Sequence, residues 1–293
     1  MADPPNTDLP GLAAVTTVHN DPDHLRIWTA YHARQLGARN LYVIDLGSDD
    51  GSTADLGEIN VLRLPRTKRD DVRRAAFISD FTASLLAWYD CVLHSEVDEI
   101  LVADPRHAPS LAALAATTRA PVLNAIGVHI IHRLGQEMAF DPTRPVLHQR
   151  RHVFSASAAC KPALIRRPAR WAPGFHAADA PACFGHLWLL SLRWFDLDIA
   201  HRRLATTRAM AWQYPDAGQD QRLSDDEMTQ QMVGFASLPQ DTRDLDAGLP
   251  PVSDFVADVL RSQRGRETDV YRIALDIWPS TLWRIPERFR GLF

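Results

Sequence analysis

Two carboxylates separated by a single residue follow a short apolar segment. Glu96 and Asp98 come after residues 91–93, which have the character of a buried strand, and Glu99 follows directly. Side chains at a spacing of two project from the same face of a strand. Carboxylate oxygens are the ligands that Mg²⁺ and Mn²⁺ prefer, and such an ion neutralises a diphosphate leaving group. The pattern therefore indicates a divalent-metal site, and its alternative is a solvated acidic strand end.

A glycine-rich turn, DLGSDDGS, begins at Asp45 and follows the apolar residues 41–44. Open α/β sheets bind their ligands at the carboxyl ends of the strands. Asp45 has the chemistry to accept a hydrogen bond from a base or a ribose, and the glycines let the backbone approach closely. The alternative is a turn that binds nothing and is rich in Gly, Asp and Ser for conformational reasons.

The elements that must position these residues alternate between strand and helix. Residues 13–18 form an apolar, β-branched strand, and Asp23 then caps a helix that Gly37 ends. The pattern predicts a strand over 41–44, a helix over 71–88, a strand from 91, a helix over 110–117 and a strand over 122–131. We therefore expect an α/β fold. The side chains available for burial on the helix over 71–88 are Val72, Ala76, Phe77, Phe81, Ala83, Leu85 and Trp88.

The composition is that of an ordinary globular protein. The 293 residues are 46% hydrophobic and 23% charged, with a net charge of −4. Of the 32 basic residues only Lys68 and Lys161 are lysines, which indicates a compositional bias and not nucleic-acid binding. Three distant cysteines, no signal peptide and no long apolar segment lead us to expect a cytoplasmic protein without disulfides or a membrane span.

The last third of the chain has a different character. Residues 214–258 hold ten Asp or Glu and two Arg, a balance of −8, whereas the rest of the chain carries +4. We expect residues 211–253 to be an acidic linker or surface excursion and residues 254–293 to be a helical tail. The tail is predicted to dock on the chain's own core or a second subunit, and peripheral contact with the inner face of a membrane is the alternative. Its apolar side chains are Trp278, Leu282, Trp283, Ile285, Phe289, Leu292 and Phe293.

The order of the motifs resembles glycosyltransferase family 2, in the branch with a D-x-D-E-F strand end. VHNDPDHLRIWTAYHARQLGARNLYVIDLGSDDGS and HSEVDEILV are similar to the opening, the turn and the strand end of that branch. KPALIRRP from Lys161, GFH from Gly174 and HLW from His186 are similar to its basic strand, its Gly-x-His and a later His-rich strand. The resemblance implies a GT-A fold over residues 1–210, which is a Rossmann-like mixed sheet flanked by helices. Its nucleotide-sugar half would reach about residue 103, with the acceptor half after it.

The resemblance also implies an activity and a site. The enzyme would move a hexose from a nucleotide-sugar donor, UDP-linked, to a hydroxyl of a glycan or lipid-linked acceptor, with inversion, as in polysaccharide biosynthesis. The donor contacts that it implies are Thr17, His19, Asn20, Asp45 and Arg73. Mn²⁺ or Mg²⁺ would bind Glu96, Asp98 and His176, with His186 as the second choice for the third ligand. Glu96 and Ile100 depart from the family's pattern, which has Asp and Phe there.

The catalytic base and two rival functions stay open. Asp98 belongs to the implied catalytic set, and the base that accepts the proton of the acceptor hydroxyl is Glu99, Glu137 or Asp179. The DLGSDDGS turn is also similar to the first motif of a methyltransferase that uses S-adenosylmethionine, although Asp49 stands where that motif has its middle glycine. A non-catalytic nucleotide-binding module on the same scaffold is the remaining alternative.

Overall fold

A mixed sheet with helices packed around it forms the body of the protein. The computed structural model describes residues 11–246, 248, 252–265 and 269–293. Within those residues the chain contains eleven strands, all in one sheet, and seven α-helices. The α/β prediction is confirmed. The start of the chain, where no signal peptide was predicted, falls in residues 1–10 and lies outside the described part.

The first half of the chain contains each strand and helix that the sequence pattern predicts, together with two further strands over residues 60–63 and 99–103. Its elements are β1 (Leu12–Val18), α1 (Pro22–Leu36), β2 (Leu41–Asp45), β3 (Asn60–Arg63), α2 (Asp71–Leu85), β4 (Cys91–His94), β5 (Glu99–Ala103), α3 (Leu111–Thr117) and β6 (Val122–Ile131). The cap of α1 is Asp21 and not Asp23, because the Asp21 carboxylate accepts the His24 N–H at 3.3 Å and Pro22 opens the helix. Gly37 ends this helix, as predicted.

The second half is richer in strands. Its elements are α4 (Val146–Gln149), β7 (His152–Ser155), β8 (Pro162–Ile165), β9 (Phe184–Trp194), α5 (Leu197–Ala209), α6 (Asp225–Ala236), β10 (Gln240–Asp244), α7 (Val252–Arg261) and β11 (Leu282–Arg284). The strand order across the sheet is β10, β11, β7, β6, β8, β4, β1, β2, β3, while β9 pairs with both β6 and β5.

Four neighbouring strands determine where a ligand can reach the sheet. β3, β2, β1 and β4 are mutually parallel, with Val15 opposite Tyr42 on one side and opposite His94 on the other. The next strand, β8, runs antiparallel to β4. The carboxyl ends of the parallel strands therefore meet at one edge, which brings together the residues that follow β1 and β4.

The buried face of α2 differs from the sequence-based expectation. Val72 is 55% exposed, Trp88 lies beyond the end of the helix and is 87% exposed, and Ala76 is also exposed. The buried stripe is instead Ala75, Ile78, Ser79 and Thr82. The hydroxyls of Ser79 and Thr82 donate to carbonyls one turn back, at 2.7 Å each, so these polar side chains can be buried.

Residues 225–244 of the acidic stretch 211–253 are part of the fold and not a linker. They contain α6, whose Met228 and Met232 are buried against β7 and β9, and β10, which joins the sheet. Three of their carboxylates occupy the first turn of α6, where the helix dipole favours negative charge. The charge pattern could not predict that α6 packs on the sheet, because the buried residues of α6 are two methionines.

The C-terminal tail docks on the chain's own core, as the first alternative predicted. Trp283, Ile285, Phe289 and Phe293 are buried, and the guanidinium of Arg288 donates to both oxygens of Asp104, at 2.8 and 3.0 Å. The prediction of a helical tail holds only over α7, since β11 and an irregular chain follow it. Within the described residues, no helix combines the length and the apolar character that a membrane crossing requires.

Candidate active site

A cavity of about 980 Å³ opens at the carboxyl ends of the parallel strands. Thr17, His19 and Asn20, at the end of β1, form part of its wall. The turn between β4 and β5 supplies Glu96 and Asp98, and Glu99 is the first residue of β5. Helices α2, α5 and α6 contribute the surrounding side chains. Eight of the twelve residues that the sequence singled out therefore line one cavity, and the exceptions are Asp45, Glu137, Asp179 and His186.

Asn20 ties the loop after β1 to the glycine-rich turn after β2. Its backbone φ is 47°, a left-handed conformation that Asn tolerates better than most residues. The Asn20 amide donates to Asp49 at 2.6 Å, and the Asp49 N–H donates back to the Asn20 side-chain oxygen at 2.9 Å. The loop after β1 is thereby fixed against the turn after β2, which holds His19 and Asn20 at the cavity wall.

Asp45 is buried within its own turn and does not line the cavity. Its carboxylate accepts the Ser48 N–H at 2.7 Å, the Thr53 hydroxyl at 2.7 Å and the Arg63 Nε at 2.8 Å. Burial raises the pKa of this carboxyl, but these donors outweigh it and the pKa lies below its usual range. As the side chains stand, Asp45 closes the turn, and a contact with base or ribose stays a prediction.

The carboxylate pair lies in a turn and not on a strand, so the same-face argument was wrong in its geometry. The Glu99 N–H bonds the Glu96 carbonyl at 2.9 Å and closes this turn. Lys161 Nζ lies 2.5 Å from Glu96 Oε2 and 2.6 Å from Glu99 Oε1. The guanidinium of Arg74 lies 2.7 Å from the other oxygen of Glu96. Asp98 is paired with Arg203 of α5.

Charge pairing controls the protonation of this cluster. Burial raises the pKa of Glu96, but Lys161 and Arg74 outweigh it and the pKa falls well below its usual range. Asp98 behaves likewise, since burial opposes and Arg203 lowers its pKa. Burial and the negative charges of Glu96 and Asp98 together raise the pKa of Glu99 to about 7, against the attraction of Lys161. Glu99 is thus the carboxyl of this cluster that titrates near neutral pH.

A group of basic side chains forms the wall on the α2 side. Its members, called the basic row below, are Arg66, Lys68, Arg69, Arg73 and Arg74. Arg69 is held in place because its N–H donates to the Ala211 carbonyl at 2.7 Å and its guanidinium lies 4.8 Å from the Trp212 ring centroid. The basic row would attract an anion to the same edge of the sheet as His19 and Asn20.

Another part of the cavity lining is aromatic. Phe154 and Phe235 have ring centroids 4.8 Å apart, and the rings of Trp194 and Trp278 lie 5.3 and 6.2 Å from Phe235. These four side chains, the aromatic wall below, come from β7, β9, α6 and the C-terminal tail. The tail is anchored there by Ile277, whose N–H donates to the Ser157 hydroxyl at 3.1 Å. Trp278 stays 42% exposed, so its ring is available to a ligand.

The candidate third ligands and bases are scattered. His176 lines the cavity, and burial lowers its pKa to about 4. His186 lies elsewhere, stacked on His107 with ring centroids 3.5 Å apart. Asp179 accepts from the Arg170 N–H at 3.0 Å and pairs with Arg167, away from the cavity. Glu137 is likewise outside the cavity wall and accepts from the Arg133 N–H at 2.9 Å.

The donor set does not fit a metal ion as the side chains stand. Over the described ranges, no group of three His, Cys, Asp or Glu side chains is placed to hold one. The oxygens of Glu96 and Asp98 are engaged by Lys161, Arg74 and Arg203. Mn²⁺ or Mg²⁺ at Glu96, Asp98 and His176 therefore stays a prediction.

Reasoning from the sequence missed the cations on the carboxylates and the aromatic wall. The sequence held one signal for Lys161, which is the rarity of lysine in this chain. Its two lysines, Lys68 and Lys161, both line the cavity. Arg74 adjoins the predicted Arg73, but no pattern separated it from the other arginines. Arg203 and the aromatic wall are brought to the site by tertiary packing alone.

Comparisons with known proteins do not assign the chain to a family. No protein-family model matches the chain, and no curated protein matches it. Among solved structures it is similar to the mannosyltransferase PcManGT from Pyrobaculum calidifontis in complex with GDP-Man and Mn²⁺, at 14% identity and a TM-score of 0.29. That similarity covers 43% of this chain and 36% of the mannosyltransferase, so this chain matches about a third of the length of that protein.

Proposed function

We propose that this chain is a glycosyltransferase that moves a sugar from a nucleoside-diphosphate donor to a hydroxyl acceptor. The observation that carries the proposal is that one cavity is lined by a basic row, by carboxylates and by an aromatic wall. A reaction between an anionic donor and a carbohydrate needs these three kinds of surface. The sequence motifs that resemble glycosyltransferase family 2 supply residues to the same cavity, which supports the proposal independently.

The donor is assigned to the end of the cavity at the carboxyl edge of the sheet. A diphosphate carries several negative charges, and the basic row offers guanidinium and ammonium donors for its oxygens. Thr17, His19 and Asn20 would contact the base and ribose. Burial lowers the pKa of His19, so its ring is neutral and offers both a donor and an acceptor to a nucleoside.

The acceptor is assigned to the aromatic wall. The C–H face of a pyranose ring is apolar and packs on aromatic rings, while its hydroxyls remain available for hydrogen bonds. Trp194 and Trp278 of the aromatic wall both contact Phe235. A glycan or a glycosylated lipid headgroup suits this surface.

In the proposed transfer the acceptor oxygen attacks the anomeric carbon while the bond to the diphosphate breaks. The hydroxyl proton must pass to a base, and of Glu99, Glu137 and Asp179 only Glu99 lines the cavity. The basic row stabilises the negative charge that develops on the leaving diphosphate. Attack opposite the leaving group inverts the configuration of the anomeric carbon. No step in this sequence is assigned to a metal ion.

Ligand-dependent melting tests the donor assignment and separates it from its rivals. UDP, GDP and their sugar conjugates are expected to raise the melting temperature by mass action, and S-adenosylmethionine is not. A shift with S-adenosylmethionine alone would favour the methyltransferase alternative. No shift with any nucleotide contradicts the proposal.

The base assignment needs a turnover assay on matched variants. Glu99→Gln should keep nucleotide binding and lose transfer, because the amide cannot accept the proton. Asp179→Asn is the control, since Asp179 lies outside the cavity, and it should retain transfer. Loss of transfer in Asp179→Asn with full activity in Glu99→Gln would reverse the assignment. Nucleotide binding with no turnover under any condition would indicate a non-catalytic module.

A further inference from the structure

Each carboxylate predicted to hold a metal is already paired with a cation from the chain. Lys161, directly before β8, lies between Glu96 and Glu99, and Arg74 of α2 closes the second oxygen of Glu96. Arg203 of α5 pairs with Asp98, which is also buried. The cations come from three separate elements that pack around the turn. The arrangement is therefore a property of the fold and not of one mobile side chain.

A divalent ion could enter this cluster only by displacing buried cations. The side chain of Lys161 is 7% exposed and that of Glu99 is also 7% exposed, so neither can turn into water without opening the packing. Displacing Lys161 would leave a buried ammonium without its partners, which is strongly unfavourable. The side chain of Arg203 is 31% exposed, but it pairs with Asp98 and also lies 3.4 Å from Asp21, so it links two carboxylates and would lose both partners if it were displaced.

Other cations in the same cavity remain available to a ligand. Lys68 and Arg73 both line the cavity and are exposed. In the part of the chain that the structure describes, neither makes an ion pair. Their charges match a diphosphate, and they lie in the basic row, next to Arg69 and Arg74.

We infer that this site binds a nucleoside diphosphate without a divalent metal. Lys161, Arg74 and Arg203 neutralise Glu96 and Asp98, which form the acidic turn between β4 and β5, and Lys68 and Arg73 hold the diphosphate. The acidic turn then acts as a fixed scaffold that keeps Arg74 and Lys161 in place. This inference rests on the proposed function, because it concerns how the same donor is held, and it replaces the metal expected from the sequence.

Calorimetry with UDP and GDP tests the inference on the wild-type chain. The affinity measured in EDTA should agree with the affinity measured in Mn²⁺ to within about twofold. Affinity that disappears in EDTA and returns with Mn²⁺ overturns the inference and leaves the proposed function standing. Absence of nucleotide binding under both conditions refutes the proposed function, and the inference with it.

Variants identify the groups that hold the diphosphate. Lys68→Met combined with Arg73→Met should weaken UDP binding in EDTA at least about tenfold, because two charge-assisted contacts are lost. Arg151→Met is the control, since Arg151 pairs with Glu287 outside the cavity at 2.8 Å and should leave the affinity unchanged. An unchanged affinity in the double variant would overturn the assignment of these two cations.

Binding of Mn²⁺ in the absence of nucleotide provides an independent test. The electron paramagnetic resonance signal of the free ion measures how much Mn²⁺ remains unbound. Wild type should leave the ion free, whereas Lys161→Met should bind it, because the variant releases the oxygens of Glu96 and Glu99. Binding by wild type that Asp98→Asn abolishes would overturn the inference. Wild type alone decides this point if Lys161→Met does not fold.

Discussion

Replacing Asp45 distinguishes a residue that builds the site from one that contacts the ligand. Three donors converge on its carboxylate, which are the Ser48 N–H, the Thr53 hydroxyl and the Arg63 guanidinium. Asp45 itself is completely buried. We predict that Asp45→Ala lowers the free energy of unfolding, and that Asp45→Asn lowers it by less.

The expected loss in the free energy of unfolding follows from the hydrogen-bond donors that each variant leaves without an acceptor. Ser48 and Thr53 are 6% and 5% exposed, and each unpaired buried polar group costs about 1–3 kcal/mol, so Asp45→Ala should cost about 2–6 kcal/mol. The side chain of Arg63 is 58% exposed, regains water and adds little. Asp45→Asn keeps an oxygen for Ser48 but presents its NH₂ group to Arg63, so we expect about 1–2 kcal/mol.

Urea unfolding at several pH values is the assay. Because the pKa of Asp45 is lower in the folded chain than its usual value, its contribution is present above about pH 4 and is lost as the pH falls through the folded pKa. At acid pH, the free energy of unfolding of both variants should therefore depend less steeply on pH than that of wild type. If both variants are as stable as wild type and bind nucleotide at least about tenfold more weakly, Asp45 contacts the ligand and the structural account of this turn is wrong.

Three further predictions concern the fold. Deleting residues 278–293 should abolish cooperative unfolding in a circular-dichroism melt, because the buried apolar side chains lost are worth about 5–10 kcal/mol, comparable to a whole domain's stability; an unchanged melt would mean that the tail does not pack. Gly127→Ala should prevent soluble expression, because the new Cβ would lie 2.2 Å from the carbonyl carbon of Ala159, and a normal yield would refute that close approach. Burial opposes but His24 lowers the pKa of Asp21 to about 2, so its stabilisation of about 2 kcal/mol should be complete above about pH 4 and disappear toward pH 2. In urea unfolding, Asp21→Asn should remove this decrease in the free energy of unfolding between about pH 4 and about pH 2. A decrease of the same size in the variant would contradict the pairing of Asp21 with His24.

The sequence predicted the early elements well because their signals are local. The run over residues 13–18 is apolar and β-branched along its whole length, and it becomes β1 with one residue added. The strand predicted over 122–131 is β6 with the same bounds. The helical cap was wrong by two residues because Asp21 and Asp23 are both good caps, and only the position of His24 decides between them.

The candidate site could be predicted only where its residues follow strands. Asn20 and Glu96 lie at the ends of β1 and β4, so the order of elements placed them at one edge. Arg203 lies far along the chain in α5, and no spacing connects it to Asp98. The acidic region was misjudged for a related reason, since the methionines of α6 acquire their role only by packing on β7 and β9.

Turnover of nucleotide sugars measures the central claim most directly. Wild type and Glu99→Gln would be incubated with UDP- and GDP-linked hexoses, and the released nucleoside diphosphate and the sugar product would be quantified by mass spectrometry. We predict that wild type releases the nucleoside diphosphate from at least one donor and that Glu99→Gln releases far less. No release from any donor by wild type, or release that Glu99→Gln leaves unchanged, would contradict the assignment of this cavity to glycosyl transfer.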